Sequence, residues 1–442
     1  MSNSLQLLHE LCIEFSEPII KSLSNICDKP SEGSNVSVKP ILESLLPRKT
    51  SLRISPSEDD IYSSIKDFTL ACALILSSRS STFDLLSWIT EDLALTAESA
   101  FRMLSKAYAS ASCDGFSKNI EELGLDFSLI PEEKRLVVEI IPKVLPLLKD
   151  SIKESSIDKS DEVDEVSAAS ARVPVGFAIV AAHQLRWFIT QIDYPHLGKL
   201  CNLVIPCGLT ALDHWSPEVK GQGMLSFIHL AKNVNAAELG WYEDVILDAC
   251  CSNVPSSDEI WPCVVEMSVL LATSIHNMNP RSSWIERMVN EMLGHLERQP
   301  RNKERCIAWL QHIEPLFNCM GLVLLAHTRR IFPLFFKWMN AEDDETTLLV
   351  LQRIQTVVRL TWIRNTPYVE RLVDELAMLY EKAATRRSGD AIRKHVVDAL
   401  MLLQESKGQQ FKAAWSKHKD LQNLVPLSTS LTRLNITDCV DC

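Results

Sequence analysis

The chain has 442 residues, 46% of them hydrophobic and 23% charged, so it is long and apolar enough to bury a sizeable core. Its formal net charge of −12 argues against nucleic acid as the main partner, because phosphate binding demands a clustered positive surface. With only 13 glycines and no recognisable runs of alternating apolar and polar residues, strands are not expected and the chain reads as all-α.

Taken in order, residues 5–26 form an amphipathic helix with Leu8, Leu11, Phe15 and Ile19 on one face, expected to dock as an end cap. Glu10, Glu14 and Glu17 interrupt it and no basic leader precedes an apolar run, so a soluble intracellular protein is expected. Residues 28–57, rich in Pro, Ser and Lys, read as a loose connection around one short helix. Helices follow at 58–76, 83–89 and 93–109. Residues 112–130 are irregular, and Pro131-Glu132-Glu133 opens the next long helix. The stretch 151–170 (SIKESSIDKSDEVDEVSAAS) has no aromatic residue and a run of acids. It cannot bury enough surface to offset the entropy of ordering, which makes it a flexible acidic loop and the best internal boundary.

Residues 197–231 hold a whole helix–corner–helix unit. A first helix over 197–212 contains Pro206, and the chain turns at Asp213 and restarts at Ser216-Pro217-Glu218. Ser216 can cap, Pro217 sits where its missing N–H costs nothing, and Glu218 meets the positive end of the helix dipole. The inward face of the second helix is Val219, Gly223, Phe227 and Leu230, with Gly223 letting the neighbouring helix come close. A proline inside a helix costs about 3 kcal/mol, so packing must offset Pro206. This order of features resembles the HEAT repeat. Residues 138–150 and 331–358 echo it, and Pro206 and Pro333 lie 127 residues apart, about three units of about 42.

From 173 to 416 the pattern is helix after helix. Apolar stripes run through Trp284, Met288, Met292 and Leu296; through Leu351, Ile354, Val358 and Trp362; through Val369, Leu372, Leu376 and Leu379; and through Ile392, Val396, Ala399, Leu400 and Leu403. Such stripes are core. The apolar run 315–328 is too short to span a bilayer, and no membrane is expected as a partner. The thirteen cysteines fall at apolar helix positions and read as buried thiols. Cys439 and Cys442 make the one Cys-x-x-Cys, without the second pair that zinc needs. Asp441 occupies the position where a prenylation box needs an aliphatic residue.

Phosphate-binding, nucleophile-elbow and metalloprotease motifs do not occur. His183 and His229 read as satisfied core or surface residues, and Asp213-His214 as a corner whose Asp caps the next turn. The acids 342–345 suit a helix N-terminus, and the basic runs 298–305 and 386–395 read as solvated loops. No catalytic residue, cofactor or metal is expected.

A more specific likeness lies in LVIPCGLTALDHWSPE, NKERCIAWLQHIEPLFNCMG, RRIFPLFFKWM and LQRIQTVVRLTWIR. On these segments the chain from 194 to 418 resembles the Tel-two-interacting protein two family, HEAT-repeat subunits of a three-protein co-chaperone complex. The resemblance implies hetero-oligomeric assembly with Tel-two and the first Tel-two-interacting protein, and work with heat-shock protein 90 on phosphatidylinositol-3-kinase-related kinases. Cytoplasmic placement follows from it, with the nucleus as a second compartment. The competing readings are a generic HEAT/armadillo scaffold with other partners and an unrecognised enzyme. The expected fold is a HEAT/armadillo-type α-solenoid, a superhelical stack of helix pairs. Its expected divisions are an N-terminal helical region (1–150), the acidic loop (151–171), a HEAT-like region (172–418) and a tail (419–442). The candidate partner-binding residues are Arg353, Arg359, Trp362 and Arg364 on the helix 348–364, since Arg and Trp are the types most enriched at hot spots.

Overall fold

The computed structural model describes residues 3–26, 37–49, 57–80, 84–110, 129–155, 173–277, 279–361 and 367–418. Among these the regular structure is helical throughout, as expected, and the chain divides into two compact units, Met1–Ala249 and Cys250–Cys442. The expected acidic boundary at 151–171 precedes this division along the chain. Residues 156–172 and 419–442 lie outside the described residues.

In the first unit α1 (Asn3–Ser24), α4 (Glu91–Ser110), α5 (Glu132–Glu154) and α7 (Cys201–Asp213) pack successively in one layer. Successive members of the other layer are α3 (Glu58–Ser77), α6 (Val175–Thr190) and α8 (Pro217–Asn233), with α2 (Val38–Leu45) against α3. Helices α5 and α6, and α7 and α8, are the antiparallel-repeat pairs that join the layers. The short α9 (Ala236–Gly240) follows, and α10 (Glu243–Asn253) straddles the junction. Sequence cues account for the ends. Ser57 and Asp60 close a capping box on α3, and Asn235 and Glu238 close another on α9.

Pro206 lies inside α7, the first helix of its pair, as the repeat pattern requires, and Val204, Ile205 and Cys207 beside it are all buried. The glycine argument holds on both sides of this pair. A Cβ on Gly223 would stand 3.0 Å from the Ala211 Cβ, and one on Gly208 would stand 2.8 Å from the Phe227 ring. Phe227 is wholly buried.

In the second unit one layer runs α11 (Trp261–His276), α13 (Lys303–His312), α16 (Asp344–Leu360) and α18 (Gly389–Trp415). The other runs α12 (Ser283–Arg298), α15 (Thr328–Met339) and α17 (Val369–Lys382), with α14 (Glu314–Met320) seated on α11 and α16. Pro333 lies inside α15, which pairs with α16. Side-chain bonds between neighbouring helices recur here at sequence separations of 40 to 47 residues. Thr356 donates to Glu314 (2.9 Å), the Gln355 amide to the His395 carbonyl (3.2 Å), and the Ser388 N–H to Asp344 (2.8 Å). The spacing of about 42 read from the prolines is thus the distance along the chain from one helix pair to the next.

Several expectations need correction. The buried line of α1 is Leu5, Leu8, Cys12, Ser16, Ile19 and Leu23, while Leu11 and Phe15 are only half-buried. Small Cys12 and Ser16 let α1 lie close to its neighbours, with the Ser16 hydroxyl returned to the Cys12 carbonyl (2.7 Å). The helix expected at 83–89 is a 3-10 turn, Asp84–Leu86. α5 continues through Glu154, so the first residues of the expected acidic loop are helical. The stretch Glu314–Met339 is long and apolar enough to cross a membrane by length and composition. Here it folds as α14, a 3-10 segment beginning at Gly321 (φ +51°) and α15, with half of its most apolar window buried.

Candidate functional site

The helix bearing the candidate arginines, α16, begins on the acids as expected, Asp343 accepting the Thr346 N–H (2.9 Å) as its cap. Its described helical residues end at Leu360, and Trp362 and Arg364 lie outside the described residues. Arg353 and Arg359 sit on the described part in different surroundings. The Arg353 side chain is 7% exposed and pairs with Glu314 of α14 at 2.5 Å. Thr356 donates to the same carboxylate. Burial alone would raise the Glu314 carboxyl, but the Arg353 and Thr356 hydrogen bonds and the Arg359 charge together hold it below its ordinary value. Arg359 is exposed, with one weak bond to Gln355 (3.4 Å). Of the four candidates the structure describes two, and it gives them different roles. Arg353 joins adjacent helices, and Arg359 faces solvent.

Arg305, in the basic run 298–305, is likewise turned inward, 5% exposed. It binds the Asp258 carboxylate, donates to the Ser256 carbonyl (2.8 Å) and lies 4.7 Å over the Trp261 ring. Arg386 donates to Thr347 (2.9 Å) and to the Ala341 carbonyl. Both runs contribute inter-repeat joints as well as solvated residues.

In the first unit the corner after α7 is organised by His214, not by Ser216, whose side chain makes no cap bond. The buried imidazole accepts the Ser216 N–H at Nδ1 (3.0 Å), and Nε2 meets the Ser155 hydroxyl (3.2 Å). Trp215 donates to the Ser155 carbonyl (3.1 Å). Burial pushes the His214 pKa down to about 4 against the opposing pull of the Ser155 backbone. His183 is fully buried, its Nε2 3.1 Å from Glu218, and burial lowers its pKa. A cleft of about 280 Å³ between α3 and α5 is lined by Tyr62, Lys66, Glu139 and Lys143 among others, with the Lys143 ammonium 4.8 Å over the Tyr62 ring. Glu139 is 3% exposed, and burial pushes its carboxyl up to about 8.

Among the described residues seven of the nine cysteines are buried, with Cys201 and Cys250 raised by burial to about 12. These are poor nucleophiles. No group of three or more metal-ligating side chains forms among the described residues. Trp241 and Tyr194 of the first unit are exposed aromatics that helical periodicity does not single out.

The uncharacterized protein At2g39910 of Arabidopsis thaliana is 55% identical over 422 residues, 95% of this chain and 94% of that protein. The chain belongs to the At2g39910 family. The chain is also similar to TELO2-interacting protein 2 of Rattus norvegicus, 22% identical over 247 residues. That match covers 51% of this chain and 48% of the rat protein. The human protein of the same name is 21% identical over 41% of this chain and 38% of its own length. The chain thus spans half or less of these two relatives. No protein-family model matches. Solved structures similar to it include importin beta (TM-score 0.44, 10% identity, 90% of this chain and 56% of that one) and the karyopherin Kap121p (TM-score 0.35, 11% identity, 95% and 48%). The fold is of the HEAT-like α-solenoid class, as the layered helix pairs within each unit show.

Proposed function

We propose that the protein is a non-catalytic helical-repeat adaptor that assembles with a TELO2-type partner and with the first Tel-two-interacting protein. In that complex it would assist maturation of phosphatidylinositol-3-kinase-related kinases with heat-shock protein 90. The observation that carries the reading is the partial similarity to two TELO2-interacting proteins on a chain whose described residues form packed helix pairs. Such repeats offer long surfaces to other proteins and few enclosed sites for chemistry. The same reading expects work in the cytoplasm, and in the nucleus where those kinases act.

The test is affinity purification of the tagged full chain from its own cells, with stoichiometric partners identified by mass. Recovery of a TELO2 counterpart in near-equal amount supports the proposal, as does a fall in kinase abundance on depletion of the protein. Stoichiometric partners of another class, with kinase abundance unchanged, would leave a generic HEAT/armadillo scaffold as the better reading. Arg359 is the candidate to vary first, since its charge is exposed and can reach a partner. Arg359→Glu should weaken capture while leaving the melting temperature in place.

A further inference from the structure

The exposed aromatic surface of the first unit lies where two short connections abut. Between α6 and α7 the chain turns tightly, with the His196 and Leu197 N–H groups donating to the Asp193 carbonyl (3.1 and 3.2 Å). Across from it, the Glu238 carboxylate of α9 occupies the space above Gly198, leaving no room there for a Cβ. Each connection holds one large ring in water. Trp241, one turn after Glu238, is 87% exposed, and Tyr194 is 65% exposed. Val245, at the start of α10, adds a third apolar side chain, 51% exposed. The backbone beneath is fixed: Leu239 is buried, the Tyr242 N–H donates to the Leu239 carbonyl (2.9 Å) and the Ile246 N–H to the Tyr242 carbonyl (3.0 Å). The Trp241 ring is thus presented by an ordered corner.

The charge around it is mainly acidic. From Lys232 to Ala249 every further charged residue is acidic, namely Glu238, Glu243, Asp244 and Asp248, and the facing turn adds Asp193 and a single cation, Lys199. Lys134 of α5 binds Asp193. We propose that this surface docks a protein segment presenting an apolar anchor flanked by lysine or arginine. The anchor would lie against Trp241 and Tyr194, and a flanking cation over an indole face gains from the ring quadrupole. The acidic rim would steer such a segment and repel phosphate-bearing polymers. A symmetric contact between two copies would set acidic rim against acidic rim, which disfavours a second molecule of this chain as the occupant.

The experiment selects displayed random peptides on the full-length protein after depletion on the Trp241→Ala/Tyr194→Ala variant, then measures the consensus peptide by fluorescence anisotropy. The expected consensus places Lys or Arg beside Leu, Phe or Trp. Its affinity should fall about tenfold or more in Trp241→Ala, and severalfold in Asp244→Lys or when salt rises from about 50 to about 300 mM. Both substitutions alter exposed side chains, so the melting temperature should hold, and Asp244→Lys keeps the test informative if Trp241→Ala does not fold. A neutral or acidic consensus, equal binding by Trp241→Ala, or no enrichment over the depleted variant would overturn the proposal. Sedimentation adds one arm: a dimer of the full chain abolished by Trp241→Ala would assign the surface to self-association and overturn it as well.

Discussion

Glu139 and His214 are buried titratable groups whose effects on stability run in opposite directions with pH. The Glu139 carboxyl is raised by burial to about 8 from an ordinary value near 4.5. Between those values the folded chain holds a proton that the unfolded chain releases, so this residue lowers stability as pH rises through that window. Glu139→Gln should therefore raise the melting temperature more at pH 8.5 than at pH 4.5, measured by calorimetry; an equal gain at both would show that the carboxyl is not buried as described. His214 is lowered from 6.5 to about 4, so its contribution is complete above pH 6.5 and is lost as pH falls toward 4, when protonation of Nδ1 breaks the bond from Ser216. Replacing His214 with Asn should flatten the acid limb of a stability–pH curve. The two arginines of α16 separate in the same way. Arg353→Glu sets a like charge against half-exposed Glu314 and should destabilise by about 1 to 3 kcal/mol. Arg359→Glu should stay within about 0.5 kcal/mol of neutral. Urea midpoints that reversed this order would contradict the placement of both side chains.

At the scale of helices, the pair α7 and α8 carries the most direct test of packing. Phe227→Ala removes a fully buried ring seated on Gly208 and should cost about 3 to 5 kcal/mol. Gly223→Val forces branched carbons against Ala211 and Leu212 and should cost about 1 to 3 kcal/mol. This pair was legible because its signals are local: Pro217 after a capping position, a four-four-three apolar spacing, and glycines where ridges must approach. The face of α1 was not legible, because the buried positions include Cys12 and Ser16, whose types do not announce burial. The inward turn of Arg353 and Arg305 was hidden for another reason. Helical period gives the face of a residue, but the acid that meets it lies 39 or 47 positions away on another element. Trp241 left a faint signal in advance, a tryptophan just past Gly240 where a short helix stops, but hydrophobic type alone points inward.

At the scale of the whole molecule, the division at 249 and 250 decides which truncations are informative. α6 is buried on nearly every side, against α3, α5 and α8, so a fragment starting at 172 would expose apolar surface in place of testing function. The acidic stretch can be shortened only from its middle. Removing 157–169 should leave the urea midpoint nearly unchanged, whereas removing 153–169 deletes Ser155, on which His214 and Trp215 rest, and should lower it. Equal midpoints for the two deletions would mean that the Ser155 contacts are dispensable.

Among the described residues of the second unit, bonds between one helix pair and the next recur at about the repeat spacing, and this gives the protein a mechanical grain. Pulled from its C-terminal end, the unit should not rupture as one body but part at successive joints, α18 and α17 first. Each release would free about 42 residues, roughly 140 to 150 Å of extended chain. A force trace would then show evenly spaced teeth, and cutting the Arg386 joint with Arg386→Ala should lower the first tooth while leaving the spacing intact.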